Sequence, residues 1–166
     1  MRIDSLLVIT LVLLYVSCSK VGPGEHAYLA FENNGLDTVY VESYFPEDSL
    51  FPLPHRFSES KDGCGIAPGT INYKTLAICS CGLCFSYEFV FSKTKTSDRV
   101  FVYVVPFYPE EGNYPPRPLY DYKLVCYELT FEDLVSLDYH LYYPPNEKMK
   151  NIKMEPPYEE VCAKLN

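Results

Sequence analysis

Seven cysteines carry most of the chemistry open to this 166-residue chain. Cys79, Cys81 and Cys84 are close together, while Cys18, Cys64, Cys126 and Cys162 lie apart. With Cys18 set aside, an even number remains, and in an oxidising compartment Cys64, Cys79, Cys81, Cys84, Cys126 and Cys162 read as disulfide partners. The Cys79–Cys84 segment is expected to supply at least one half of a bridge, and Cys162 to staple the C-terminal tail. Two other chemistries fit the same residues. Thiolates of Cys64, Cys79, Cys81 and Cys84 could make a tetrahedral zinc set, but the paired Cys-x-x-Cys knuckles are missing and exported thiols oxidise. Cys81-Gly82-Leu83-Cys84 has redox-pair spacing, without a visible βαβ context or helix N-terminus to stabilise a thiolate. Disulfides are the expectation, and no metal or cofactor is expected.

Cys18 belongs to a different pattern. Arg2 gives a positive start, weakened by Asp4, and Leu6 to Val16 is apolar except for Thr10. That run is signal-peptide length and short of the ~20 residues that span a bilayer. It ends in Ser17-Cys18, the order of a bacterial lipoprotein signal, in which cleavage precedes an acylated cysteine. Residues 1–17 then form the signal peptide, and Cys18 carries a diacylglycerol with palmitate-type chains. Ordinary secretion with cleavage after Ser19 is the alternative. Acyl chains contribute ~0.8 kcal/mol per buried methylene, so several hold a protein stably at a membrane. Residues 18–25 are the lipidated cysteine and a short tether, in which Ser19 to Glu25, with Gly22-Pro23-Gly24, reach roughly 24 Å at full stretch.

Other reactive groups are sparse. His26, His55 and His140 lack a neighbouring catalytic pattern, and no Gly-x-Ser-x-Gly, His-Glu-x-x-His or glycine-rich phosphate loop occurs. His140 alternates with strand residues and reads as a packed or half-exposed ring. An enzyme is not expected. A net charge of −8 without a Lys/Arg cluster gives no electrostatic footprint for nucleic acid. The binding candidates are Tyr108, Tyr114, Arg117 and Tyr120, in a loop stiffened by Pro109, Pro115, Pro116 and Pro118. Exposed Tyr beside Pro can stack on sugar rings or meet a protein at low entropic cost. In the alternative reading these rings cover the sheet edge and core.

The elements that must position these groups are mostly strands. The chain has 16 Tyr, 10 Phe, no Trp and 14 Pro, which favours half-buried pleated segments over long helices. His26 to Glu32 and Thr38 to Phe45 alternate around Asn33-Asn34-Gly35, giving a hairpin or two strands joined tightly. Thr70 to Ile78, Phe85 to Phe91, Arg99 to Val105, Tyr120 to Leu129 and Asp138 to Tyr143 read as further strands. Arg99 to Val105 is the most apolar of them and is expected to be central and covered on both faces. Thr130 caps one short helix through Leu137, with Glu132 and Asp133 at its positive end. The tail is expected to hold a strand around Ile152 and a helical turn from Pro157 to Lys164. Residues 26–166 are thus read as one all-β domain with a C-terminal tail, an antiparallel β-sandwich of immunoglobulin-like type.

Several short motifs resemble small Bacteroides-type lipoproteins: Phe31-Glu32-Asn33-Asn34, Tyr44-Phe45-Pro46-Glu47-Asp48, Pro68-Gly69, Tyr127 to Leu134 and Tyr142-Tyr143-Pro144. The resemblance spans about residues 18 to 145 and implies location and architecture, not activity. It implies a lipid-anchored protein of the cell envelope, at the outer membrane. It also implies O-glycan attachment at Asp-Ser/Thr followed by an apolar residue, with Ser49 and Thr38 as candidates. Ser49 sits in a Pro-bounded loop, whereas Thr38 opens a strand and Asp37 is expected to cap the Asn-Asn-Gly turn. Two functions follow as expectations: a membrane-anchored, non-catalytic binding module for glycan or protein, or a structural envelope protein without a ligand pocket. A contiguous exposed aromatic patch would favour the first.

Overall fold

The computed structural model describes residues 25–45, 65–73, 76–77, 79–80, 83–93, 98–107 and 123–163. In chain order these hold β1 (Ala30–Asn33), β2 (Val39–Tyr44), β3 (Thr70–Asn72), β4 (Cys79–Ser80), β5 (Leu83–Cys84), α1 (Tyr87–Lys93), β6 (Arg99–Pro106) and β7 (Val125–Thr130). They continue with α2 (Phe131–Ser136), β8 (His140–Tyr143), a 3-10 turn (Glu147–Met149), β9 (Lys153–Glu155) and α3 (Tyr158–Ala163). The strands form a four-stranded sheet ordered β2-β6-β7-β9, a three-stranded sheet ordered β3-β1-β8, and the small pair β4-β5. The result is mostly β, with two antiparallel-rich sheets and a few short helices.

Alternation decides the inner faces. Val100, Val102 and Val104 of β6 point inward beside Val39 and Val41 of β2, and beside Val125, Tyr127 and Leu129 of β7. Phe31 of β1 and Leu141 and Tyr143 of β8 meet them in the same core. Each such side chain contributes roughly 1.5–3 kcal/mol when taken fully out of water. The expected central position of Arg99 to Val105 is observed. Its inner valines and, on the opposite face, Val105 are all buried.

The segments flanking Asn33-Asn34-Gly35 are consecutive strands but not paired ones. β1 and β2 enter different sheets, because Asn33 turns the chain with its side chain. Its Nδ2 donates to Asp37 O at 2.9 Å and Ile66 O at 2.7 Å, and its Oδ1 accepts from Gly35 N at 2.9 Å. Asp37 therefore serves the turn through its carbonyl rather than its carboxylate. A Cβ at Gly35 would lie 3.1 Å from both Asn33 Oδ1 and the Tyr143 ring, so the turn is built around a residue without one. Ile66 pairs with Val39 as an isolated bridge, which ties the same corner to the larger sheet.

Phe85 to Phe91 departs from expectation: Tyr87–Lys93 is helical. Ser86 caps the helix by accepting from Phe89 N at 3.1 Å, and Tyr87 and Val90 enter the core. The sheets also depart from a purely antiparallel arrangement, since β1 pairs in parallel with β8. The Thr130 cap is observed as a capping box, with Asp133 N donating to Thr130 Oγ1 and Thr130 N to Asp133 Oδ2. The helix ends on Asp138 and Tyr139, both at positive φ, with Tyr139 N donating to Leu134 O and Asp138 N to Val135 O. These two bonds make a Schellman ending, with Asp138 where glycine is usual. In the tail, β9 and α3 lie where a strand and a helical turn are expected.

Candidate functional site

The outer face of the three-stranded sheet is open. Ile71, Glu32 and Tyr142 lie in register across β3, β1 and β8, with Ala30 and His140 as the next row. Tyr73 follows directly after β3 and Tyr28 directly precedes the β1 lead-in, and both continue this face. Tyr28, Ile71 and Tyr73 are 44%, 41% and 63% exposed. The polar groups among them are fixed. Asn34 Nδ2 donates to Glu32 Oε1 at 2.9 Å, and His140 Nε2 lies 3.2 Å from Glu32 Oε2. The His140 pair is held by proximity rather than by an aligned hydrogen bond. The His140 ring stacks on Tyr142, with centroids 4.4 Å apart and planes within 9°. The face thus offers exposed rings beside an oriented carboxylate and amide. The Tyr28 hydroxyl, at one end, lies 3.9 Å from Cys84 Sγ.

A second group of titratable side chains lies where the chain enters the domain. Glu88 of α1 accepts from His26 N at 2.9 Å, from His26 Nδ1 at 2.8 Å and from the Tyr139 hydroxyl at 2.6 Å. The His26 and Tyr139 rings stack at 3.6 Å, and Tyr87 N donates to His26 O at 2.8 Å. Burial raises the Glu88 carboxyl pKa, but the Tyr139 and His26 hydrogen bonds outweigh it and hold the value below the usual glutamate range. Burial and the Glu88 carboxylate push the Tyr139 hydroxyl upward. With both carboxylate oxygens engaged, this arrangement suits a fastening better than proton transfer.

The outer face of the larger sheet is closed around Tyr40 and Val105, while Tyr44, Phe101 and Tyr103 on the same face are half-buried. Tyr40, Glu42, Val105 and Cys126 are buried there, and Arg99, Glu128 and Lys153 form a chain of ion pairs, with Lys153 Nζ 2.7 Å from Glu128 Oε2. Burial pushes the Cys126 thiol up to about 11, with Tyr103 and Lys123 acting against it. It is a protonated, unreactive thiol at neutral pH.

The expected site residues divide sharply. Cys18, Ser49, Cys64, Cys81, Tyr108, Tyr114, Arg117 and Tyr120 lie outside the described residues, and the side chain of Cys79 does as well. Thr38 lies one residue before β2 rather than opening it, half-buried with Gly65 against its methyl group. Cys126 and Cys162 depart from expectation, because both are thiols. Cys162 Sγ instead donates to Pro145 O at 3.7 Å. The tail needs no staple, since Met149, Ile152 and Val161 carry it into the core. Among the described residues, no His, Cys, Asp or Glu group is placed to hold a metal, and no helix is long and apolar enough to cross a membrane. His140 is half-exposed in a strand, as its alternation suggests. Tyr28, Tyr73 and the Glu88 fastening were missed, because partners such as His26 and Glu88 are 62 positions apart. No known family model, curated protein or solved structure matches the chain.

Proposed function

We propose that this protein is a non-catalytic binding module held at the cell envelope through a lipid on Cys18, and that it binds glycan or protein through the outer face of the three-stranded sheet. The observation that carries this reading is the exposed row of Tyr28, Ile71 and Tyr73 beside the fixed Glu32 and Asn34. Rings left in water next to oriented polar groups are what a binding surface needs and a core does not. The apolar run ending in Ser17-Cys18 supports the anchor, and the motifs resembling Bacteroides-type lipoproteins support the outer membrane. The finer architecture we read as immunoglobulin-like, supported by strands divided three and four between two sheets.

The exported reading brings disulfides with it. Cys84 as a half-cystine supports this, and the Cys126 and Cys162 thiols leave Cys64, Cys79 and Cys81 as its candidate partners. Ser49 is the proposed O-glycan site, in preference to the half-buried Thr38. Intact mass and fractionation test the anchor. A diacylglycerol-modified chain beginning at Cys18, released to the soluble fraction by Cys18→Ser, is the expected result, and an unlipidated chain beginning at Lys20 refutes it. The binding role is tested with the full chain in detergent, comparing native protein with Tyr28→Ala and Tyr73→Ala in glycan and protein-partner screens. Ligands captured equally by all three proteins would place binding elsewhere.

A further inference from the structure

We propose that the ligand of this face is a short, uncharged saccharide of one to three rings, stacked on Tyr28 and Tyr73 and hydrogen-bonded through Glu32 and Asn34. The inference rests on the binding-module reading and narrows it to one ligand class.

Size is the first argument. Strands lie about 4.8 Å apart and rise about 3.3 Å per residue, so a three-stranded face extended to Tyr28 and Tyr73 offers on the order of 300 Å². A stable protein interface needs roughly 800 Å² from each partner. Among the described residues the open face is well below that, and it matches a few pyranose rings. Chemistry is the second argument. A pyranose presents a plane of C–H groups that packs on a tyrosine ring, with hydroxyls around its rim that need oriented acceptors and donors. The Glu32 carboxylate, held by the Asn34 amide with His140 Nε2 3.2 Å from its other oxygen, is placed to accept from two neighbouring hydroxyls. The tyrosines have two side-chain torsions, so little rotamer entropy is lost on contact. Charge is the third argument. A chain of net charge −8 with Glu32 in the middle of the face repels uronic acids and sulfated sugars.

The test is calorimetric titration of the full chain in detergent with cellotetraose, maltotetraose, mannotetraose and chitotetraose, with trigalacturonate as the anionic comparison. Alongside it, a photocrosslinker placed at position 73 is activated on whole cells. Saturable binding of a neutral sugar, weakened at least tenfold by Tyr73→Ala and by Glu32→Gln and restored by Tyr73→Phe, is the expected result. The exposed position of Tyr73 leaves the melting temperature of its variants unchanged, so a lost affinity is not lost folding. Tighter binding of trigalacturonate overturns the uncharged class. Binding that ignores Tyr28, Tyr73 and Glu32 overturns the face as its seat. No sugar binding, with specific crosslinking to a protein at position 73, overturns the saccharide and leaves the binding module standing. No sugar binding and no crosslink overturns both.

Discussion

The two sheets share one core and half-bury the middle of their outer faces, yet they differ at the flanks of those faces. On the four-stranded sheet, Val105 is fully buried and Tyr40 and Glu42 are nearly so. On the three-stranded sheet, the outward positions at and just past the β3 edge hold Ile71 and Tyr73 in contact with water. The sequence composition of the two faces is similar, since both mix tyrosine, a β-branched residue and glutamate. The difference shows that aromatic content alone does not mark a surface. What marks the open face is that its rings are not covered while its carboxylate is held in place.

The largest effects that would break this comparison come from charge. Val105→Lys should cost about 3–5 kcal/mol by urea unfolding, because it forces a long ammonium side chain into a fully buried valine site. Ile71→Lys should change stability by about 0.5 kcal/mol or less. Similar losses at both sites would mean that the faces do not differ. Asn33→Ala comes next. It strands Asp37 O and Gly35 N and removes one of the two donors to Ile66 O at the corner joining the sheets, and should cost about 2–4 kcal/mol.

Acid sharpens the comparison further. Burial raises the Glu128 carboxyl, and Lys153 and Arg99 outweigh it, so its folded value lies below the ordinary 4.5. Glu88 is lowered in the same net sense by Tyr139 and His26. A depressed folded value adds stability that is complete above about pH 4.5 and drains away as pH falls through the lowered value. Glu128→Gln and Glu88→Gln should therefore each flatten the acid limb of a stability-versus-pH profile. An unchanged acid limb in both variants would remove these carboxylates from the account. The smallest expected effect is a gain. Asp138→Gly should add about 0.5–1 kcal/mol by relieving positive φ in the Schellman ending, read as a higher melting temperature.

Much of the scaffold was legible because its causes are local. Thr130 with Asp133 specifies a helix start within four residues, and the valines of β6 specify a central strand by alternation. Phe85 to Phe91 misled for a physical reason: a spacing of two contains a spacing of four, so alternating aromatics also fit one side of a helix. Phe85 and Phe89 do stack, with centroids 5.8 Å apart. The signal that decides between the readings was Ser86, a capping residue within the run and directly before Tyr87. The open face was not legible, since Tyr28, Tyr73 and Tyr142 come from three distant stretches. Nothing in a local window says which tyrosines remain uncovered.

The parallel pairing of β1 with β8 also sets a schedule. Ala30 lies beside His140, 110 positions later in the chain. In a chain that folds after export both strands are present together, so loop closure rather than synthesis sets the delay. The contact closes a long loop, so it follows shorter-range events such as α2 closing onto β7. The platform carrying Tyr28, Glu32 and Tyr142 is therefore among the last surfaces to assemble. A chain cut before His140 can still pair β2, β6 and β7, yet it has no second edge on which to complete that platform.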